Sequence, residues 1–218
     1  MMIDRQNIIT QITNLVIEEL QHYELIDTKK KVPVGISARH IHLEQEHVDL
    51  LFGKNHQLTK FKDISQPNQF ACNEKLTLKG PRGEIANVRI LGPLRAKTQV
   101  EISKTDARKL GIQPPVRSSG DTSNSESITL IGPKSTITIH ECCIIADRHI
   151  HMTHTDARSF NVSDNQKISV AIPGEKGGIM HQVTIRVSDD YTLDMHIDTD
   201  DGNAFGLNGN EFLEIIND

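Results

Sequence analysis

The tetrapeptide Arg39-His40-Ile41-His42 returns as Arg148-His149-Ile150-His151, 109 positions later, and the two copies hold four of the chain's eleven histidines. Histidines two apart on an extended segment point to the same side, because strand side chains alternate with period two. Each copy therefore offers two imidazoles to one point, as a divalent cation requires. One His-x-His is weak evidence, but two identical copies in 218 residues are not easily dismissed. A wider internal repeat adds further candidates. Lys104-Thr105-Asp106-Ala107-Arg108 resembles His154-Thr155-Asp156-Ala157-Arg158, an alignment that sets Glu101 opposite His151, and Met195-His196-Ile197-Asp198 reads as another related strand end. An open tetrahedral zinc site takes three protein ligands plus water or substrate. The six candidates thus divide into two triads, His40, His42 and Glu101 in one and His149, His151 and His196 in the other. Two such ions side by side can clamp an oxyanion and orient it for attack.

Arginine is the complementary signal. Arg95 follows the turn Leu91-Gly92-Pro93-Leu94, six residues before Glu101, and a guanidinium fork suits a tetrahedral oxyanion such as phosphate. Arg82 and Arg89 flank a strand and suit a polyanionic substrate, or else serve as solvated surface charges. Arg39 and Arg148 alternate away from the ligand face and read as supports of the fold. The isolated histidines His22, His47, His56, His140, His154 and His181 read as ordinary hydrogen-bonded residues. Cys72, Cys142 and Cys143 form no Cys-x-x-Cys spacing and read as reduced, buried thiols. Any metal site is therefore built from histidine and carboxylate, which favours zinc over an iron–sulfur cluster.

Elements that position these residues follow from periodicity. Ile3, Ile8, Ile9, Ile12, Leu15, Val16 and Leu20 have helical spacing, predicting an amphipathic helix from residue 3 to about 25. It reads either as a cap on the core or an oligomer interface, or as a detachable docking peptide. Beyond Val32 the texture changes to short runs such as Lys75–Lys79, Ile85–Leu91, Ile128–Ile131, Thr136–Ile139, Ile168–Ile172 and Gln182–Val187. Turns such as Gly80-Pro81-Arg82-Gly83 and Gly132-Pro133-Lys134-Ser135 break them, a rhythm of antiparallel barrels rather than of a doubly wound sheet. The polar stretch Pro114–Glu126 reads as an exposed loop. The duplication implies two similar units, with a ligand site favoured at their interface.

Composition narrows the classes further. A net charge of −5, 36% hydrophobic and 24% charged residues describe an ordinary globular chain without a nucleic-acid surface. No apolar run reaches the roughly 20 residues that span a bilayer, and no secretory signal is legible, so a cytoplasmic, non-membrane protein is expected.

Four segments then resemble one family. Ile36-Ser37-Ala38-Arg39-His40-Ile41-His42-Leu43, Val88–Arg95, Gln99–Arg108 and Asp194–Asp200 are similar to the zinc-dependent, PduL-type phosphate propanoyltransferases (phosphotransacylases) associated with bacterial microcompartments. The resemblance runs from about Pro33 to Leu207. It implies a mainly β fold of two similar small barrels capped by short helices. One barrel would come from residues 39–146 and the other from 29–38 together with 147–218. Residues 1–28 would form the N-terminal amphipathic helix and linker, an extension that in some members leads into a microcompartment lumen and meets shell or core proteins. The implied reaction is reversible transfer of a short acyl group, propanoyl or acetyl, between coenzyme A and inorganic phosphate. Two zinc ions per chain would sit in the two triads, Arg95 would bind phosphate, and Ile36, Ser37, Ala38, Arg82, Arg89 and Asn203 would contact coenzyme A. Ala38 and Arg82 depart from the family's usual Asn and Lys. A homo-oligomer is compatible with this reading. The rival readings are a zinc-dependent thioester or ester hydrolase and a duplicated cupin-like metal module that would use Glu44 instead of Glu101.

Overall fold

The computed structural model describes residues 5–22 and 30–216. In chain order the elements are α1 (Arg5–His22), β1 (Lys31–Ser37), β2 (His40–His42), α2 (Gln45–Phe52), β3 (Lys60–Asp63), β4 (Phe70–Lys79), β5 (Glu84–Gly92), β6 (Gln99–Glu101) and α3 (Lys104–Leu110). They continue with β7 (Val116–Arg117), β8 (Glu126–Ile131), β9 (Thr136–Ala146), β10 (His149–Met152), α4 (His154–Phe160), β11 (Lys167–Ile172), β12 (Gly178–Val187), β13 (Asp194–Asp198), α5 (Thr199–Phe205) and β14 (Phe212–Ile216).

α1 forms a unit of its own within residues 1–31. The expected helical positions Ile3 and residues 23–25, with the linker residues 27–29, lie outside the described residues. Ile9, Ile12, Leu15 and Val16 are exposed on it, at the spacing of one helical face. Among the described residues no helix is long and apolar enough to cross a membrane.

Residues 32–218 form the second unit. Its strands close two six-stranded barrels, one in the order β4-β5-β2-β6-β9-β8 and the other β11-β12-β10-β13-β1-β14, with β3 and β7 added at the margins of the first. Each barrel has its own core. Ile41, Leu76, Leu78, Ile90, Val100 and Leu130 lie in the first. Ile150, Val170, Val183, Ile185, Met195 and Leu213 lie in the second.

The two strand orders superimpose position by position, and their directions agree. β2 lies parallel to β5 and antiparallel to β6, and β10 lies parallel to β12 and antiparallel to β13. β6 is parallel to β9 as β13 is to β1. The barrels are therefore mixed, not purely antiparallel as the turn rhythm suggests. Parallel neighbours need crossovers instead of hairpins, and the short helices supply part of them. Curvature is duplicated as well. Asn87 in β5 and Gln182 in β12 both have φ of 61°. Each lies two residues before the one paired with the first histidine of its His-x-His strand (Arg89 with His40, Thr184 with His149). A left-handed residue at that point bends the strand and helps it wrap into a small barrel.

Candidate active site

Period-two alternation decides which way the repeated tetrapeptides face. Ile41 and Ile150 are fully buried, each in its own barrel core. The flanking histidines must then point out of the barrel, into a cavity of about 670 Å³ walled by both barrels. His40 pairs with Glu101 across β2 and β6, and His149 pairs with His196 across β10 and β13. This register makes Glu101 the counterpart of His196. The alignment of the Thr-Asp-Ala-Arg segments had set it opposite His151. Those segments resemble each other because α3 and α4 share a capping box, Ser103 with Asp106 and Thr153 with Asp156, not because their preceding strands are equivalent.

His40, His42 and Glu101 place their ligand atoms within 4.8 Å of one another, all three buried. Backbone and neighbouring groups set which atom faces inward. His40 Nδ1 bonds the Ala38 carbonyl at 2.9 Å, and His149 Nδ1 bonds the Asp147 carbonyl at 2.7 Å. Both rings are thus left with Nε2 toward the cavity, and His40 Nε2 lies 3.5 Å from Glu101 Oε2. In His42 and His151 it is Nδ1 that is buried without a hydrogen-bond partner among the described residues. A buried orphan acceptor is costly unless something occupies it, and two at equivalent places fit a cation at each. The second triad gathers with ring centroids 4.6 Å (His149–His151), 4.9 Å (His151–His196) and 5.3 Å (His149–His196) apart.

Protonation of His42, His149 and His151 agrees with ligand duty. Burial first, then the charges of neighbouring histidines, depress His42 and His151 to about 2 and His149 to about 4. These rings are neutral donors at physiological pH, the form that binds metal. Burial opposes ionisation of Glu101, but the His40 charge and its hydrogen bonds outweigh it and hold the carboxyl well below the usual range. Glu101 raises His40 in turn against the effect of burial.

Glu101 is held by a small network. Its Oε1 accepts from Gln99 Nε2 at 2.6 Å and from Ser119 Oγ at 2.7 Å. Ser119 Oγ also accepts from Arg95 Nη1 at 3.3 Å, tying the arginine to the first triad. Arg95 reaches this place because the chain turns sharply after β5. A Cβ on Gly92 would collide with the Phe70 ring, and the Arg95 amide donates to the Leu43 carbonyl at 2.9 Å. Arg39, at the cavity wall, and Arg148 pair with Asp106 and Asp201 at 2.8 Å each. They brace α3 and α5 against the two His-x-His strands.

A family model described as phosphate propanoyltransferase matches residues 33–208 of this chain. The chain belongs to the phosphate propanoyltransferase family. This is a family of acyltransferases, and the chain is similar over nearly its whole length to curated members. It is 48% identical over 211 residues to the phosphate propanoyltransferase of Lachnoclostridium phytofermentans, covering 96% of this chain and 99% of that one. The Priestia megaterium enzyme of the same name is 50% identical over 196 residues (88% and 89% covered), and that of Thermotoga maritima 44% over 195 (89% and 93%).

For this member of the phosphate propanoyltransferase family, the cavity wall holds most of the residues singled out from sequence: His40, His42, Glu101, His149, His151, His196, Arg95, Ile36, Ser37, Ala38 and Arg89. Arg82 and Asn203 are not part of that wall. Arg82 is exposed at the β4–β5 turn, its amide bonded to Leu110, and Asn203 is exposed on α5, its carbonyl accepting from Lys176. Glu44 is absent from the wall as well and pairs with His47 at 3.0 Å, so the cupin-like ligand set is not assembled. His56, His140, His154 and His181 are hydrogen-bonded to Glu74, Ser127, Asp189 and Ser169. The polar stretch 114–126 is no simple exposed loop. Ser119 and Gly120 line the cavity, and Thr122 is buried.

Sequence reasoning passed over Lys62, Gln66, Gln99, Ser119, Arg186, Tyr191 and Asp194. Gln99 and Asp194 carried a usable signal, since each lies two residues before a triad member on the same strand face and opposite the second histidine of a pair. Asp194 Oδ2 lies 3.2 Å from His196 Nε2. Gln66 reaches across from the first barrel to both backbone groups of Thr192, at 3.1 and 3.2 Å. Tyr191 packs on His151 with centroids 4.2 Å apart. Only tertiary proximity reveals these last two.

Proposed function

We propose that this chain transfers a short acyl group, propanoyl or acetyl, reversibly between coenzyme A and inorganic phosphate. The observation that carries this reading is the convergence of two histidine-based triads and Arg95 on one cavity between the barrels, in a chain of this family. His40 Nε2, His42 Nδ1 and Glu101 would hold one zinc ion, and His149, His151 and His196 a second. Zinc, when bound, supplies Lewis acidity toward phosphate and carbonyl oxygens. Arg95, steadied by Ser119, holds phosphate by charge-assisted hydrogen bonds and aims one oxygen at the thioester carbonyl carbon. A new C–O bond forms there while the carbonyl electron pair moves to oxygen. Collapse of that oxyanion breaks the C–S bond and releases coenzyme A as its thiolate. Ile36, Ser37, Ala38 and Arg89 would line the way in for coenzyme A, with Arg82 and Asn203 as outlying contacts of its nucleotide end.

No side chain of this protein needs to carry the acyl group. Burial pushes the Cys72 thiol up to about 11 and Cys142 to about 12, and Cys143 is raised as well. A thiol that stays protonated and out of the cavity wall is a poor nucleophile. The test is release of free thiol from propanoyl-CoA by zinc-loaded protein, with and without inorganic phosphate. Strict phosphate dependence is expected, whereas release without phosphate would make this a thioester hydrolase.

We also propose that residues 1–28 act as a docking segment for microcompartment shell or core proteins, so that the enzyme works in the lumen as well as in the cytoplasm. The exposed Ile9, Ile12, Leu15 and Val16 support this. A fluorescent reporter carrying residues 1–28 that stayed diffuse in a shell-forming bacterium would refute it.

A further inference from the structure

Arg186, like Lys62, is a basic residue of the cavity wall that neither the sequence motifs nor the proposed mechanism uses, and it stands beside the second triad. It lies on β12, directly opposite His151 in the parallel pairing with β10. It is half-buried, lines the same cavity as Arg95, and comes from the other barrel. Among the described residues its side chain has no hydrogen-bond or ion-pair partner. The nearby carboxylates are committed elsewhere. Glu101 Oε1 accepts from Gln99 and Ser119, Glu101 Oε2 faces His40, and Asp194 Oδ2 faces His196. Its charge is felt across the cavity. Arg95 loses proton affinity first to burial, Glu101 acts the other way, and Arg186 lowers it further.

Two guanidinium groups facing one partly dehydrated space repel each other, and the repulsion grows as water leaves. Such an arrangement is stable when a polyanion lies between them, because each planar fork can give two parallel N–H donors to a phosphate edge. We infer that Arg186 is a second phosphate-binding residue, and that Arg95 and Arg186, one from each barrel, hold the transferred phosphate group between them. This rests on the phosphotransacylase reading and extends it. The substrate would be gripped by both barrels, so phosphate binding itself would fasten the two halves of the site together. The acyl phosphate of the reverse reaction would use the same pair.

The experiment compares Arg186→Gln and Arg186→Lys with wild type, all metal-loaded, by steady-state kinetics and by the rise in melting temperature that inorganic phosphate produces. Arg186→Gln is expected to raise the KM for phosphate at least tenfold, leave the KM for propanoyl-CoA within about twofold, and lose most of the phosphate-induced rise, while keeping the wild-type metal content. Arg186→Lys should recover part of the phosphate KM, since it restores charge without the fork. Unchanged phosphate KM and unchanged phosphate stabilisation in Arg186→Gln would overturn the inference. So would loss of metal with normal phosphate KM in the loaded fraction, which would make Arg186 a support for His151. If wild type itself releases no thiol with phosphate present, the phosphotransacylase reading fails. If wild type is phosphate-dependent and Arg186→Gln matches it, only this inference fails.

Discussion

Glu101→Gln separates a metal ligand from a merely structural carboxylate. The amide is nearly the same size, and its oxygen can still accept from Gln99 and Ser119, which now meet Oε1 at 2.6 and 2.7 Å. Its amino group would take the place of Oε2, 3.5 Å from His40 Nε2. What disappears is charge. A hydrogen bond to an ionised group contributes about 1.5–3 kcal/mol and a neutral one about 0.5–1.5, so two bonds lose roughly 2 kcal/mol together. Relief from burying a carboxylate offsets part of that. The metal-free variant should therefore fold and lose at most about 2 kcal/mol, a few degrees of melting temperature in a domain of this size. Metal binding should suffer far more, because an anionic ligand is replaced by a weak neutral one. Metal analysis of the purified proteins is expected to give two ions per chain for wild type and one for Glu101→Gln, with Glu44→Gln as a control that keeps both. Retention of two ions by Glu101→Gln would refute the assignment of the first triad. A loss of several kcal/mol in the metal-free variant would instead refute the claim that its hydrogen bonds survive.

Three further outcomes follow from the same geometry. Arg95→Ala should lower turnover by about 10²–10³, as loss of a single oxyanion donor does, and a loss below tenfold in phosphate-dependent thiol release would refute its role. The metal-free protein should be most stable near pH 6.5. Below that value the unfolded chain takes up protons that His149 refuses down to about 4 and His42 and His151 down to about 2. Stability therefore falls with falling pH, by about 1.4 kcal/mol per pH unit for each such group. Above pH 6.5 the raised His40 loses its contribution as it deprotonates through its folded value. Denaturant titrations of chelator-treated protein from pH 4 to 8 check this, and a flat profile between pH 4 and 6.5 would contradict it. Cys142→Ala should keep turnover within about threefold, because the proposed mechanism gives its buried thiol no part. A hundredfold loss of turnover in a folded, metal-loaded variant would restore the acyl-enzyme route.

Part of the site is legible in the sequence, residue by residue. His40, His42, His149 and His151 announced themselves because the period of a strand is two, so any extended His-x-His presents a pair whatever the fold around it. Apolar Ile41 and Ile150 between them already implied which face was core. The Gly-Pro turns and short β runs were enough to indicate two barrels, since turn chemistry and alternation are local properties. Strand direction was not local. Whether β2 runs parallel to β5 depends on where the chain returns after forty residues and more, and nothing in either strand records it. The equivalence of Glu101 with His196 failed to show for a related reason. The shared capping boxes of α3 and α4 dominate the sequence similarity, although those helices follow non-equivalent strands. Gln66, Ser119, Tyr191 and Arg186 belong wholly to the tertiary structure. They come from loops and strands distant in sequence, in positions where their residue types are common on any surface, and they meet only because two separate barrels share one cavity. The sequence alone determined the candidate ligands that a single strand can present. Only the folded chain decided which groups complete the site from across the interface, because that choice is made by packing between the barrels and not by any local pattern.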